Sequence, residues 1–534
     1  MEKNNMRCAH SSLRLACKRA GKAAAVFLTG LLFLVPVTGH CAQARARIFC
    51  PDCNVIMVSL DTLRADALGI YGYHRDTSPN IDRLARRGAV FLNAYSQAPN
   101  TFPSHMSVFT SKYPWTHRVE TIFRDRLATD IKTLPMIMKK QGYRTVWAAF
   151  MKLPYLSLTA GFERGFDDFV SPAMPGVTWE TAFSWLKKNR GRKFFMFLHT
   201  YRIHAPYMPE KSSILRFSKS ILPSKTMTFR ELFLSALRRA AETPSRFFYE
   251  TTIKIHPEIF DITDLARKHA ELEKLIKNDP RLQQTIKDSM MDTFWEYFDL
   301  NSPGDIAYLR TLYDAGVFEA DMAIGSLYAR LEDLGLADNT LLVITSDHGE
   351  EFMEHGQVQH NRLYNEHLHV PLIFVLPGKR IGVKPAQIVQ SIDITPTILD
   401  VVGLPALAGA EGRSLRPLME GGESDGNSMA FAKRYGNYSV RDSRYTYIRN
   451  HKCSSRFIPG FITWNMMCKK EEFYDRAGDP GEKKNIFSSN RDAAGKLAGR
   501  LDNLTKSAGI GGENSWPAEI PDDVRKKILA TGYW

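Results

Sequence analysis

A chain of 534 residues with 44% hydrophobic and 24% charged residues can bury a large core, which excludes a disordered polypeptide. At roughly 150–200 residues per unit it divides into two or three units. The net charge of +14 favours anionic partners, but leaves nucleic acid, an acidic membrane surface and an anionic small substrate unranked.

Part of that charge belongs to the N-terminus, where Lys3, Arg7, Arg14, Lys18, Arg19 and Lys22 oppose Glu2. The basic stretch runs into the apolar segment Ala23 to Val37, which is short beside the roughly 20 residues of a membrane span. Ala42-Gln43-Ala44 then offers small residues to a signal peptidase. Residues 1–44 therefore read as an export signal cleaved before Arg45, with an uncleaved anchor through residues 23–38 as the alternative. Either way the mature chain is expected to be exported, periplasmic or extracellular. Of seven cysteines, Cys50, Cys53, Cys453 and Cys468 lie beyond this leader. An even number suits disulfides in an oxidising compartment. Three pairings exist, and Cys50 with Cys53 and Cys453 with Cys468 is the local one. A redox CxxC or half of a zinc site is the other reading of Cys50 and Cys53.

The first strand signal is Asn54 to Leu60, a β-branched apolar run that delivers Asp61 to its C-terminal end. A helical pattern follows over Ile81 to Arg87. Thr101-Phe102-Pro103-Ser104-His105 leads into a helical stretch, Met106 to Thr110, so the Thr101 hydroxyl is placed near a helix N-terminus, where the dipole and free N–H groups favour an anion. An ordinary helix cap is the competing reading of that segment. Phe194 to Leu198 is a further buried strand, followed by His199 and His204. From about residue 210 to 301 the pattern is helical, rich in Lys, Arg and Glu, and reads as an insertion over the sheet edge. It shapes either a substrate lid or a packed helical subdomain.

Asp314 to Leu334 is again helical, and Leu341 to Ser346 is a strand ending at Asp347-His348-Gly349. Pro371 to Leu376 is one more strand. Alternating strands and helices imply an α/β fold with a mostly parallel sheet between helices and ligands at the carboxyl ends of its strands. A Gly-rich polar stretch over 409–427 precedes a final unit in which Ser439 to Arg449 and Glu472 to Tyr474 form a small antiparallel sheet with a helix after it. The expected organisation is 1–44 leader, 54–408 catalytic domain and 428–534 C-terminal subdomain.

Two carboxylates at strand ends, Asp61 and Asp347, suit a hard divalent cation, and the imidazole of His348 suits a magnesium-, manganese- or zinc-like ion more than purely calcium coordination. The motifs SLDTLRADALGIYGY (Ser59 to Tyr73), TSPNIDRLARRG (Thr77 to Gly88), TFPSHMSVFTSKYP (Thr101 to Pro114), TSDHGEEFMEHG (Thr345 to Gly356), VPLIF (Val370 to Phe374) and EEFYDRAGDPGEKKNI (Glu471 to Ile486) together resemble the sulfatase family of the alkaline phosphatase superfamily. The resemblance implies an alkaline phosphatase-like fold and one divalent metal ion, Ca, Mg, Mn or Zn, on Asp61, Asp347 and His348. It implies Thr101 as nucleophile, His204 as a substrate-binding or acid–base group, and His360 as the group that binds the transferred anion or protonates the leaving oxygen. Arg64 is expected to support the metal loop and contact substrate, and His105 to take the place of the arginine that steadies the nucleophile.

The departures from the family pattern cluster around the anion site. Thr62 replaces a frequent second aspartate, Phe150 and Lys152 stand where Lys and His are usual, and His348 replaces a frequent Asn. Thr101 cannot be oxidised to formylglycine, so a covalent intermediate on it favours phosphorus chemistry. These changes resemble the branch of phosphonate monoester hydrolases and phosphoglycolipid transferases. The expected activity is hydrolysis of sulfate or phosphate esters, with an exported phosphotransferase acting on a lipid or envelope glycan as runner-up, and a non-catalytic binding protein as the reading from another class. The expected partner is an anionic ester substrate, with association to a membrane surface or envelope and no nucleic acid. His199, His355 and His369 are expected to be supporting or structural.

Overall fold

The computed structural model describes residues 48–120, 125–149, 160–170, 178–218, 231–236, 271, 290–422, 429–451 and 469–507. The leader, Phe150, Lys152, Cys453, Cys468 and most of the insertion lie outside the described residues.

Strand β1, Asn54–Leu60, is buried at every position. The reason is that it has no solvent face: Ile56, Val58 and Leu60 enter one hydrophobic core, and Val55 and Met57 enter another. Such two-sided burial is what a continuous apolar run signals. The same division holds for β3 (Arg144–Ala149), β5 (Phe194–Thr200) and β6 (Thr340–Thr345). With β2 (Ala89–Val90), β4 (Asp168–Val170) and β7 (Leu372–Val375) they form a seven-stranded sheet in the order β2-β7-β6-β1-β5-β3-β4. The five strands from β6 to β4 are parallel, while β7 runs antiparallel to both β6 and β2. The expected mostly parallel sheet is thus present, with an antiparallel edge that the sequence pattern did not show.

Helix α1, Thr101–Thr110, starts at Thr101 itself, five residues before the expected helical stretch. Its residues Met106, Val108 and Phe109 join the second core, whereas α2 (Thr178–Asn189) and the long α3 (Pro303–Asp333) pack into the first. Helix α3 also begins earlier than Asp314, because Ser302 accepts the N–H of Asp305 and Pro303 occupies the first turn, where its missing N–H costs nothing. At 31 residues it is about 46 Å long. The Tyr313 hydroxyl pins it to the end of β1, donating to the Thr62 carbonyl and accepting from Arg64 N, both at 2.9 Å.

A four-stranded antiparallel sheet follows: β8 (Ala430–Arg434), β9 (Asn437–Arg441), β10 (Tyr445–Arg449) and β11 (Glu471–Asp475). Helix α4, Arg491–Ser507, covers one face, with Ala494, Leu497 and Leu501 against Val440, Tyr447 and Phe473. Cys50 and Cys53 are joined by a disulfide. Among the described residues no helix is long and apolar enough to cross a membrane.

Candidate active site

Register brings the site together. Ser59 of β1 lies level with Thr345 of β6 and with His199 of β5, so all three strands reach their carboxyl ends side by side. Asp61 and Asp347 emerge there, both fully buried. The Ser346 hydroxyl ties the two ends together: its oxygen lies 2.6 and 2.7 Å from the Leu60 and His348 carbonyl oxygens, to one of which it donates its single proton, and it accepts from Leu63 N at 3.0 Å. Gly349 is required after His348, since a Cβ there would stand 2.0 Å from the Glu366 carbonyl oxygen. Thr62 holds a left-handed φ of 60°, unusual for a β-branched residue, and its N–H reaches Asp347 Oδ1 at 3.3 Å.

Thr101 Oγ1 lies 3.4 Å from Asp61 Oδ2 and 3.4 Å from His348 Nε2. His348 Nε2 is 3.8 Å from Asp61 Oδ1 and 3.4 Å from Asp347 Oδ2. These separations are long for hydrogen bonds but match neighbouring donors of one cation, which stand roughly 3.3 Å apart around a tetrahedral ion. Three further observations fit a divalent cation. Asp61 Oδ1 and Asp347 Oδ2 are buried with no hydrogen-bond partner among the described residues, a costly state for carboxylates without a counter-ion. His348 Nδ1 must donate to the Gly349 carbonyl at 3.0 Å, which leaves Nε2 bare. Ligand atoms of Asp61, Asp347 and His348 all lie within 4.8 Å of one another.

The electrostatics agree. Burial pushes the Asp347 carboxyl up to about 7, helped by the charge on Asp61. Burial works in the same direction on Asp61, but the His199 hydrogen bond and the surrounding histidines outweigh it and hold that carboxyl well below the usual range. His348 is pushed down to about 4, chiefly by burial, so its imidazole is neutral and able to coordinate at neutral pH.

Of the other expected residues, His360 and His204 flank this cluster, with ring centroids 4.2 Å between His348 and His360 and 5.2 Å between His360 and His204. His204 Nδ1 donates to the Ala205 carbonyl at 2.5 Å. His360 Nδ1 pairs with Glu350 Oε1 at 3.0 Å, and Glu350 Oε2 accepts the Tyr207 hydroxyl at 3.0 Å. Glu350 and Tyr207 were missed in the sequence; the only signal was the first glutamate of the DHGEE run. His105 is fully buried, but its Nε2 bonds Ser59 Oγ at 2.9 Å rather than Thr101, because it lies one helical turn further into the core. The expectation that it steadies the nucleophile directly is corrected accordingly.

Arg64 also departs from expectation as a substrate contact. Its guanidinium is committed to Asp66, to Glu354 at 2.6 Å and to the Glu350 carbonyl at 3.1 Å, so it builds the loop. His355 stacks on Tyr364 and pairs with Glu366, and His369 donates to the Leu92 carbonyl; both are structural. His199 instead enters the cluster, with Nε2 3.1 Å from Asp61 Oδ2.

The fold and this site define an α/β ester hydrolase acting on anionic substrates. The family model described as Sulfatase matches residues 53–404, and one described as N-sulphoglucosamine sulphohydrolase, C-terminal, matches residues 353–507. The chain belongs to the sulfatase family, whose members generally bind a divalent metal. An N-acetylglucosamine-6-O-sulfatase of Bacteroides thetaiotaomicron is 25% identical over 475 residues, spanning 81% of this chain and 82% of that protein. Arylsulfatase K of Homo sapiens is 26% identical over 398 residues, spanning 73% and 69%. Among solved structures, a phosphonate monoester hydrolase of Agrobacterium radiobacter superposes with a TM-score of 0.60 at 20% identity, covering 86% of this chain and 96% of that one. Another, in complex with its substrate D-glucosamine-2-N,6-O-disulfate, gives 0.63 at 20% identity, covering 87% and 100%.

Proposed function

We propose that the protein hydrolyses sulfate or phosphate esters through a covalent intermediate on Thr101, beside one divalent cation held by Asp61, Asp347 and His348. The observation that carries this reading is the position of Thr101 Oγ1, 3.4 Å from a ligand atom on each of two different strand ends. When bound, the cation neutralises non-bridging oxygens and lowers the pKa of a hydroxyl beside it. The two oxygen donors and one nitrogen donor favour manganese or zinc over calcium.

Thr101 loses its proton to solvent and its oxygen forms a bond to sulfur or phosphorus, as the bond to the leaving oxygen breaks. His360 or His204 gives that oxygen its proton: His360 passes one from Nε2 while its Nδ1 takes one from Glu350, whose carboxyl burial pushes up to about 7, and His204, whose Nδ1–H is engaged with the Ala205 carbonyl, does so from Nε2 only as an imidazolium. Water then attacks the same centre and returns Thr101 to its hydroxyl form. A threonine ester of phosphate is resolved by water more readily than one of sulfate, so phosphate or phosphonate esters are the favoured class. The relatives named for sulfated sugars support trying sugar-borne esters as well. Export belongs to the same reading and rests on residues 1–44 alone.

The test is an assay of the purified protein on matched aryl sulfate, phosphate monoester, phosphodiester and phosphonate substrates, with and without divalent metal. Thr101→Ala should lose at least about 10³-fold in kcat, and peptide mapping of quenched wild-type turnover should find the adduct on Thr101. Full turnover by Thr101→Ala would remove this nucleophile from consideration. An acceptor alcohol that captures the group faster than water would establish transfer in place of hydrolysis.

A further inference from the structure

The turn between β8 and β9 breaks the rule that its own geometry sets. Two residues, Tyr435 and Gly436, join strands whose last pair is Arg434 with Asn437. Both stand at positive φ, 50° and 99°. A two-residue hairpin turn with positive φ at both positions suits Asn, Asp or Gly, whereas a bulky ring at the first of them is strained. Tyr435 is one of the few large hydrophobic side chains left exposed among the described residues, so burial does not offset that strain. The candidate active site lies next to it. Arg434 places its guanidinium over one face of the Tyr435 ring, 3.5 Å from the centroid, and donates to Asn361 Oδ1 at 2.6 Å. The same oxygen is 3.5 Å from Asn100 Nδ2. Asn361 follows His360 in the chain and Asn100 precedes Thr101, so the turn stands beside both the proposed proton donor and the proposed nucleophile. It is also clamped there: the Lys433 N–H donates to the Gln97 carbonyl at 2.9 Å, and Glu120 accepts the Tyr435 N–H at 3.2 Å while pairing with Lys433 Nζ.

We infer that Tyr435 is a specificity residue of this site: a ring of the leaving alcohol, pyranose or aryl, packs on the Tyr435 ring while the ester reaches Thr101. The inference rests on the ester hydrolysis proposed above. With one face of the phenol ring against Arg434, its exposed surface is the other face and the edge, which a sugar's C–H face or an aryl ring covers well. An aromatic ring held by a stacked guanidinium on a clamped turn loses little freedom when such a partner settles on it. The contact involves neither the transferred group nor the cation, so it sorts substrates by what carries the ester.

The experiment measures kcat/KM of the full chain and its Tyr435 variants on phenyl, glucose-6-yl and ethyl esters that share one transferred group. Tyr435→Asn removes the ring but suits the left-handed turn, so its melting temperature should equal or exceed that of wild type, which separates loss of the ring from loss of the fold. In this variant the ratio of kcat/KM for the phenyl or glucose ester over the ethyl ester should fall about tenfold, mostly through KM. Tyr435→Phe should restore it. A fall confined to the phenyl ester would name an aryl partner, and one confined to the glucose ester a sugar. A ratio in Tyr435→Asn within about twofold of wild type, or an equal loss on all three esters, would overturn the inference. So would a ratio that Phe fails to restore, because the hydroxyl and not the ring would then be the contact. Wild type that turns over none of the esters would instead bring down the hydrolase reading and this inference together.

Discussion

The paired histidine and glutamate at the site give its most direct residue-level predictions. Glu350 is fully buried, bridges His360 and Tyr207, and touches nothing of the metal cluster directly in its hydrogen bonds. On the proposed mechanism its place is to hold His360 with Nε2 towards the leaving group. Glu350→Gln should therefore slow alkyl esters, whose leaving oxygen needs a proton, by about 10- to 100-fold in kcat. Activated nitrophenyl esters should change by less than about threefold, and equal losses on both would point to a purely structural role. A second prediction concerns pH. In the proposed metal site Asp347 must ionise to coordinate, and burial raises its carboxyl to about 7, whereas His348 is lowered to about 4 and is already neutral. Metal affinity should thus rise about tenfold per pH unit from 5 to 7 and level off above. Chelator competition at stepped pH measures this, and a flat profile would contradict it.

The strand-end loops show most clearly what one hydroxyl contributes to an element. Ser346→Ala would remove the hydroxyl that reaches the Leu60 carbonyl and accepts the Leu63 N–H, the contacts that join the end of β6 to the end of β1. A loss of about 2–3 kcal/mol in denaturant unfolding is expected, together with weaker metal binding, because Asp61 and Asp347 both hang from these ends. The strands that carry the site were legible because burial on both faces writes an unbroken apolar run, as in Asn54–Leu60, and because the runs of β1 and β6 lead to a carboxylate and that of β5 to a histidine. Strands β3 and β4 were not picked out: RTVWAA mixes polar and small residues, and DFV is too short to show a period. His199 was legible only as a strand-end histidine, since its value depends on the register between β5 and β1. Glu350 was missed for a related reason. Nothing in DHGEE says which of two adjacent glutamates turns inward to His360 and which pairs with Arg362 and His367, as Glu351 does. Arg64 was legible as a support of the loop, but not its partners: Asp66, only two residues away, and Glu354 take up the guanidinium that was also expected to contact substrate.

For the molecule as a whole, the proposed cation site joins β1 and β6 and faces β5, the middle of the sheet, so its occupancy should register in global stability. A cation that binds only the folded chain at about 1,000 times its Kd adds about 4 kcal/mol. Chelation should therefore lower the melting temperature measurably, and restoring zinc or manganese should recover it; identical melting curves would argue that the two buried carboxylates are satisfied in some other way. The anchorage of α3 bears on how firmly that site is held. Tyr313 fixes this helix at the level of Thr62, and the segment from Pro303 to Leu312 runs on for about 15 Å beyond that point. Those turns are anchored as well, with Tyr308, Leu309 and Leu312 in the first core, so the helix braces the loop after β1 like a strut, and loosening Tyr313 would free the strand end that carries Asp61.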